Sequence, residues 1–316
     1  MAKTKEISRR IKSVTSTKKI TKAMEVVSAA KMRKAIEAVL KTRTYANLSW
    51  ETVLHLAKLE KSRSESLHPL LKPRKKIKKV AIILITSNRG MCGGYNAAVI
   101  AKAKESIVKH PIPTDFILVG RKGATVHRQN YSVAAEFVKS DILTDAREIY
   151  PIVKMVLSDY AHKKYDKILV AYTDFVNPAK QIPRVKQLIP VEIEGEEDYL
   201  GIVGQDSKVG FTKEMLSEKT KKHLSAEEYI YEYTFEPSPR EVLDKMIPRL
   251  VEIQLFQAFL EANASEHSAS MTAMHQATEA ATDMINELTL FYNKARQAGI
   301  TAEIAEISAG ANALAE

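Results

Sequence analysis

Apolar residues spaced alternately by three and four positions run through the C-terminal part of this chain. Such spacing predicts a long helix with a heptad seam along one face. The spacing continues beyond Gly299, from Ile300 to Leu314. The predicted seam before that glycine comprises Met271, Met274, Thr278, Ala281, Ile285, Leu288, Tyr292 and Ala295.

The N-terminal part shows the same period less regularly. Neither residues 1–68 nor residues 249–298 contain Pro or Gly, the two strongest helix breakers. Both ends are therefore predicted to be helical, and an antiparallel coiled coil between them buries the apolar seams. Residues 15–19 are a predicted interruption between two stretches of seam. The first stretch comprises Ile7, Ile11 and Val14, and the second comprises Ile20, Met24 and Val27.

The central part alternates strand and helix patterns. Short apolar runs predict strands at residues 79–86, 115–119 and 167–173, and longer amphipathic stretches predict helices at 96–109 and 145–164. Strands that alternate with helices in this way are typical of βαβ units. The fold class predicted is α/β, with a central Rossmann-like domain built on a mostly parallel sheet and long paired helices at both ends.

These patterns divide the chain into three parts. Residues 1–68 are predicted to form the N-terminal coiled-coil helix, and residues 241–316 its C-terminal partner. The central α/β domain is predicted to span residues 74–240. A charged, glycine-containing stretch around 195–226 is predicted to be an insertion at the surface of this domain.

Charge is distributed unevenly between the two helical ends. Residues 1–45 contain 13 Lys and Arg but three acidic residues, whereas residues 249–316 contain nine acidic residues but three Lys and Arg. Opposite charge favours pairing of the two ends, although exposed ion pairs contribute only tenths of a kcal/mol each. The basic excess of the first helix suits an acidic partner.

A basic coiled coil is also compatible with nucleic-acid binding. No aromatic residue precedes Tyr45, so the basic stretch offers no platform on which bases could stack. We therefore expect no nucleic-acid partner. A strongly salt-dependent affinity for DNA would favour this alternative.

A glycine-containing loop at residues 86–94 follows a predicted strand and precedes a predicted helix, where α/β proteins cradle phosphates. It has no Gly-Lys-Ser/Thr, and Gly90, Gly93 and Gly94 do not match the dinucleotide-binding spacing. A tight structural turn is the favoured interpretation. An α/β nucleotide-binding enzyme remains the alternative, which ATP or NAD binding by the isolated chain would favour.

The remaining residues indicate no catalytic set, cofactor or metal site. The single cysteine, Cys92, is expected to be a small buried hydrophobic residue, and the eight histidines show no metal-ligand spacing. We also expect no secretory signal and no membrane-spanning segment, because no apolar run is long enough.

Four sequence motifs resemble one known family, the gamma subunits of F-type ATP synthases. They are Ile20-Thr21-Lys22-Ala23-Met24-Glu25 with the residues up to Met32, the loop at 89–96, the run at 264–274, and residues 292–307. The motifs occur in the family's order and spacing, and the resemblance covers nearly the whole chain.

The resemblance implies a function for the whole chain. Gamma subunits are the central rotor shaft: their coiled coil sits in the α3β3 head, and their central domain rests with the epsilon subunit on the c-ring. Ion flow turns the ring and the shaft, which drives the catalytic β subunits through their states. The resemblance thus implies a non-catalytic subunit without a cofactor, at the cytoplasmic face of the bacterial cell membrane and attached to it only through the complex.

The resemblance also implies which residues contact the head. Lys22 and Met24 match positions that meet the acidic lever of β. The other residues belong to two contacts, a polar catch with β and an apolar tip that is held in the collar of the head. The catch comprises Arg296, Gln297 and Thr301, and the tip includes Ile304, Ile307 and Leu314.

The chain departs from the family pattern at two places. Ser270 stands where many relatives carry an Arg that belongs to the β contact network. The stretch around 195–226 is additional to many bacterial members. We expect it to be a surface element that touches epsilon or the ring.

Overall fold

The computed structural model describes residues 2–62, 68–72, 74, 76–142, 145–191, 236 and 239–315. The predicted insertion around 195–226 lies outside these residues.

The centre of the chain forms a five-stranded sheet. Its strands are β1 (Val80–Ile85), β2 (Thr114–Val119), β3 (Ser132–Phe137), β4 (Lys167–Asn177) and β5 (Lys180–Ile189). The order across the sheet is β3-β2-β1-β4-β5, in which β1 to β4 are parallel and β5 is antiparallel to β4. The predicted mostly parallel α/β sheet is therefore confirmed.

The continuous apolar run of β1 reflects its central place, because both of its faces are covered. Ile83 and Ile85 belong to a core on the side of α3 (Tyr150–Ala161), whereas Ile82 and Leu84 pack on the side of α2 (Tyr95–Lys109). A strand buried on both faces needs apolar residues at every position. The two helices lie within a few residues of the predicted ranges.

Strands β3 and β5 were missed by the prediction. β3 lies at one edge of the sheet and alternates exposed with half-buried positions, so it has no apolar run. β5 is the other edge and contains Pro183, which is tolerated there because an edge strand leaves one side of its backbone unpaired. The turn before β5 is closed by Asn177, whose Oδ1 accepts the amides of Ala179 at 2.9 Å and Lys180 at 2.8 Å.

Both ends of the chain are long helices, α1 (Ala2–Ser62) and α4 (Pro239–Ala315). Pro248 lies inside α4, although an internal proline costs about 3 kcal/mol. Burial of Ile247 and Leu250 in the core offsets this cost. Of the described residues, none belongs to a helix with the length and hydropathy needed to cross a membrane.

The chain divides into two compact units. One comprises residues 1–29 and 270–316, and the other residues 30–269. The division falls within α1 and α4. The three domain boundaries drawn from the sequence remain a prediction.

Candidate functional site

The unit formed by residues 1–29 and 270–316 is an antiparallel pair of helices. The hydroxyls of Thr21 and Thr278 lie 2.8 Å apart, and His275 Nδ1 lies 3.3 Å from Glu25 Oε1. Residues further along α1 therefore pair with residues earlier in α4. Continued at the same register, α1 reaches its first residues near position 298, so we expect the part of α4 after that position to extend beyond α1.

The seam predicted on α4 is confirmed. Met274 and Ala281 are buried, and every other predicted member is half-buried. The half-buried members are Met271, Thr278, Ile285, Leu288, Tyr292 and Ala295.

The seam predicted on α1 is right in its first stretch and partly wrong in its second. Ile7, Ile11 and Val14 are half-buried, as is Met24. Ile20 and Val27, by contrast, are 57% and 54% exposed. The helical period runs through residues 15–19 without a break and brings Lys18 and Thr21 to the seam, which turns Ile20 and Val27 outward.

The seam of the helical pair therefore contains a polar contact. Thr21 Oγ1 also donates to Lys18 O, and Thr278 Oγ1 to Met274 O, so each hydroxyl has a partner within its own helix. Polar residues in an apolar seam fix the register of paired helices, at some cost in stability.

Among the described residues of the helical pair, the Lys and Arg side chains of α1 form no ion pair with the acids of α4. Lys5, Arg9, Lys12 and Lys19 are exposed. The excess positive charge instead remains on the outer surface of α1. This surface is open to an acidic partner.

Lys22 and Met24 lie next to this basic surface. The side chain of Lys22 is 57% exposed, and its Nζ lies 2.9 Å from Glu25 Oε1. The hydrogen bond from Lys22 lowers the pKa of Glu25. Met24 is half-buried at the edge of the seam.

Arg296, Gln297 and Thr301 are all exposed on α4. The Thr301 hydroxyl donates to Gln297 O at 3.0 Å, so its hydrogen is used inside the helix while its oxygen remains open to a donor. In the described parts of the chain, Arg296 has no acidic partner. The three side chains are therefore available to another protein.

The end of α4 presents apolar side chains to solvent. Ile300, Ile304 and Ile307 are 47%, 61% and 72% exposed. Their spacing of four and three places them on one face of the helix. The side chain of Leu314, the last predicted tip residue, lies outside the described residues.

The glycine-containing loop after β1 is closed by its own hydrogen bonds. Asn96 Oδ1 accepts the Ser87 amide at 2.9 Å, and Asn96 Nδ2 donates to Ser87 Oγ at 2.7 Å. Cys92 is buried as expected, and burial raises its pKa. Met91 and Gly93 adopt positive φ, which supports the interpretation as a structural turn.

Residues of α4 form hydrogen bonds near the carboxyl end of β1, where β1 and β4 are neighbours. This is the point of the sheet where the strand order reverses, and where open α/β sheets bind ligands. Tyr95 Oη donates to Ala262 O at 3.1 Å, and Ser265 Oγ donates to Thr173 O at 3.0 Å. The chain's own helix thus lies against this part of the sheet.

A buried ion pair joins α4 to the segment that follows β3. The side chain of Lys139, which is 1% exposed, pairs with Glu266 of α4. Asn88 of the loop donates to the Lys139 carbonyl. This pair could not be predicted, because nothing in the sequence around Lys139 distinguishes it from a surface lysine.

Metal ligands do not converge among the described residues: no three His, Cys, Asp or Glu side chains lie together.

Comparison with known proteins gives a consistent result. The family model described as ATP synthase matches residues 3–314. The ATP synthase gamma chain of Herpetosiphon aurantiacus is 38% identical over 99% of both chains, and that of Pelotomaculum thermopropionicum 40% identical over 99% of this chain and all of its own.

Solved structures with a similar fold come from mitochondrial ATP synthases. A chain of the Euglena gracilis enzyme, solved with OSCP, F1 and the c-ring, has a TM-score of 0.61 at 16% identity, over 99% of this chain and 95% of its own. A chain of the Tetrahymena thermophila central stalk and c-ring has a TM-score of 0.58 at 19% identity, over 82% of this chain and 99% of its own.

Proposed function

We propose, from the premise that this chain belongs to the gamma chains of the ATP synthase family, that it is the central rotor shaft of an F-type ATP synthase. Rotation of an ion-driven c-ring would turn the chain, and the chain would drive the catalytic β subunits through the states that synthesise or hydrolyse ATP. The α3β3 head, the epsilon subunit and the c-ring are its proposed partners.

The apolar end of α4 carries this proposal. Ile300, Ile304 and Ile307 continue the apolar period beyond the point where α1 can cover it, and they are about half to three-quarters exposed. A protein that surrounds the end of the helix would remove these side chains from water. An apolar collar at the top of the head meets this requirement, and we place Leu314 in the same collar.

The basic surface of α1 accounts for a second contact. Lys22 and Met24 lie where a charged and an apolar side chain can meet the acidic lever of β together. Positive charge along the neighbouring turns, from Lys12 and Lys19, favours the approach of acidic residues at several rotational positions.

Arg296, Gln297 and Thr301 supply the third contact with the head. An exposed guanidinium, an amide and a hydroxyl acceptor within two helical turns can form several hydrogen bonds to a loop of β. Such bonds can break and form again as the shaft turns, because each contributes only about 1 kcal/mol.

Catalysis is assigned to the β subunits rather than to this chain. The contact of α4 with Tyr95 and the closed glycine loop support this assignment, since both lie near the place where an α/β fold binds nucleotides. We place the chain at the cytoplasmic face of the bacterial cell membrane, held there by the complex.

Reconstitution tests the proposal. The purified chain is mixed with α and β subunits from the same organism, and assembly and ATP hydrolysis are measured. We expect one copy per α3β3 hexamer and sustained turnover only when the chain is present. Absence of any association with α and β would overturn the proposal and favour the nucleotide-binding alternative.

A matched pair of variants tests the polar contact. Gln297→Leu should lower turnover of the assembled complex severalfold, because a hydrogen-bonding side chain is lost at the β contact. Gln276→Leu makes the same chemical change at another exposed position of α4 and should leave turnover unchanged. Equal effects of the two variants on turnover would show that Gln297 does not take part in the contact with β.

A further inference from the structure

A second positively charged surface lies on the α/β domain, far in sequence from the basic helix. Strands β1, β2 and β4 begin in register, with Val80 paired to both Thr114 and Lys167. Because these strands are parallel, the loops that precede them open at the same edge of the sheet. We call this edge the basal surface and define it as residues 72, 74, 76–79, 109–113 and 162–167.

Hydrogen bonds join the three loops into one surface. The amides of Lys78 and Lys79 donate to Asp166 Oδ2 at 2.7 and 3.2 Å, which links the first loop to the third. The Val80 amide donates to Pro113 O at 2.9 Å, which links the first loop to the second. Charges from distant parts of the sequence are thereby brought together.

The basal surface contains nine Lys and Arg but only one acidic residue, Asp166. Four of the cations form ion pairs with Asp166 or with neighbouring acids, and they are Arg74, Lys79, Lys109 and Lys164. The other five have no acidic partner in the part of the chain that the structure describes. They are Lys72, Lys76, Lys78, Lys163 and Lys167, of which Lys167 is half-buried and the others are exposed.

Exposed apolar side chains accompany these lysines. Ile77, between Lys76 and Lys78, is 41% exposed, and Val108, at the margin of the surface, is 76% exposed. Tyr165 is buried, with Lys79 Nζ 5.5 Å from the centre of its ring. The surface thus combines apolar side chains with lysines that have no acidic partner among the described residues, and its one Phe, Tyr or Trp ring is not available to stack on a base.

Unpaired lysines around exposed aliphatic side chains are typical of proteins that bind the interface of an anionic bilayer. The lysine ammonium is a compact, strongly hydrated charge. It therefore suits contacts with several headgroups better than a single fixed bidentate contact. Single-stranded nucleic acid binds by stacking on aromatic side chains, and this surface has no exposed Phe, Tyr or Trp among its described residues.

We propose that the basal surface binds anionic phospholipid headgroups, with Ile77 and Val108 entering the interface between them. The full chain is sufficient for this binding, which would add a direct membrane contact to the attachment through the complex proposed above. Lipid binding can therefore be tested independently of the proposed role as a rotor shaft.

Vesicle binding tests the proposal. The full-length chain is sedimented with vesicles of phosphatidylcholine containing phosphatidylglycerol, and with vesicles of phosphatidylcholine alone, at increasing salt. We expect binding only to the anionic vesicles, with an affinity that falls as the salt rises. The triple variant Lys76→Gln, Lys78→Gln and Lys163→Gln should bind about a hundredfold more weakly, since each lysine near such a surface contributes about fivefold.

Three other lysines provide the matched control. Lys122, Lys154 and Lys180 are exposed on the same domain but outside the basal surface. Their triple replacement by Gln removes the same net charge and should change the affinity by less than about threefold, because charges beyond a Debye length are screened. Equal loss in the two triple variants would overturn the proposal, as it would reflect net charge alone.

Two further measurements test the role of the apolar side chains and distinguish a lipid surface from an acidic protein partner. Ile77→Ser with Val108→Ser should lower vesicle affinity severalfold while the circular dichroism spectrum stays unchanged. Soluble polyglutamate is the probe for an acidic protein partner. Binding of polyglutamate through the basal lysines, without binding to anionic vesicles, would overturn the lipid proposal.

Discussion

The buried ion pair between Lys139 and Glu266 makes a sharp prediction about stability. Glu266→Gln keeps the volume of the side chain but removes the charge that balances Lys139, whose side chain is 1% exposed. Removal of one partner of a buried pair costs about 3 to 5 kcal/mol, because the other charge stays buried without compensation. The Glu266 side chain is itself 13% exposed, so we expect the lower part of this range.

Hydrogen exchange of the amides in β1 measures this loss in the unit that contains the pair. A cost of 3 kcal/mol corresponds to exchange faster by about 150-fold, and 5 kcal/mol to about 4000-fold. Glu105→Gln is the control, since Glu105 pairs with Lys102 and Lys109 at the surface. The control should leave exchange in β1 unchanged.

A double variant tests the physical reason. Lys139→Met with Glu266→Met removes both charges and fills the same space, so its stability should return to within about 1 kcal/mol of the original. Wild-type exchange rates in Glu266→Gln would refute the reasoning. So would a double variant that is as unstable as the single one.

Three further predictions follow from local geometry. Gly120→Ala should lower the free energy of unfolding in urea by more than about 2 kcal/mol, because the φ of Gly120 is +93° and a Cβ there would lie 2.3 Å from Thr86 O. Gly94→Ala is the control, since a Cβ at Gly94 meets nothing within 4 Å. Equal urea midpoints for the two variants would contradict the prediction. Burial raises the pKa of Asp166, but hydrogen bonds from Arg74 and from two backbone amides outweigh burial and lower it overall. Its ionised form therefore stabilises the fold above the unfolded pKa of about 4, and that stability is lost as the pH falls through the lower folded pKa. Asp166→Asn should flatten the dependence of stability on pH below about 4, and an unchanged slope would contradict this. Thr21→Val with Thr278→Val should leave the thermal midpoint of the helical pair unchanged or raised, because both partners of the 2.8 Å contact are replaced by apolar groups of the same shape; a clear drop would show that the contact stabilises the pair.

The fold could be predicted from the sequence where the pattern of apolar residues depends on burial alone. β1 is apolar at every position because it is covered on both faces, and the seam of α4 keeps its period because a second helix lies against it. β3 and β5 could not be predicted, because edge strands bury little and their pattern is weak.

The candidate site was predictable in part for the same reason. Ile300, Ile304 and Ile307 continue a seam, so their apolar character is visible in the sequence. Ile20 and Val27 were assigned to the seam because they are apolar, whereas the helical period brings Lys18 and Thr21 there. The Lys139–Glu266 pair joins residues 127 positions apart, which only the fold brings together.

Rotation of the chain inside the head is the decisive observation for its role as a rotor shaft. Cys92 is 2% exposed, so a cysteine introduced at Val108, which is 76% exposed, can be labelled selectively. The α and β subunits are fixed to a surface, a probe is attached to this cysteine, and ATP is added. The account predicts continuous rotation of the probe in one direction that stops when ATP is removed. A complex that hydrolyses ATP while the probe stays fixed, or moves without direction, would contradict it.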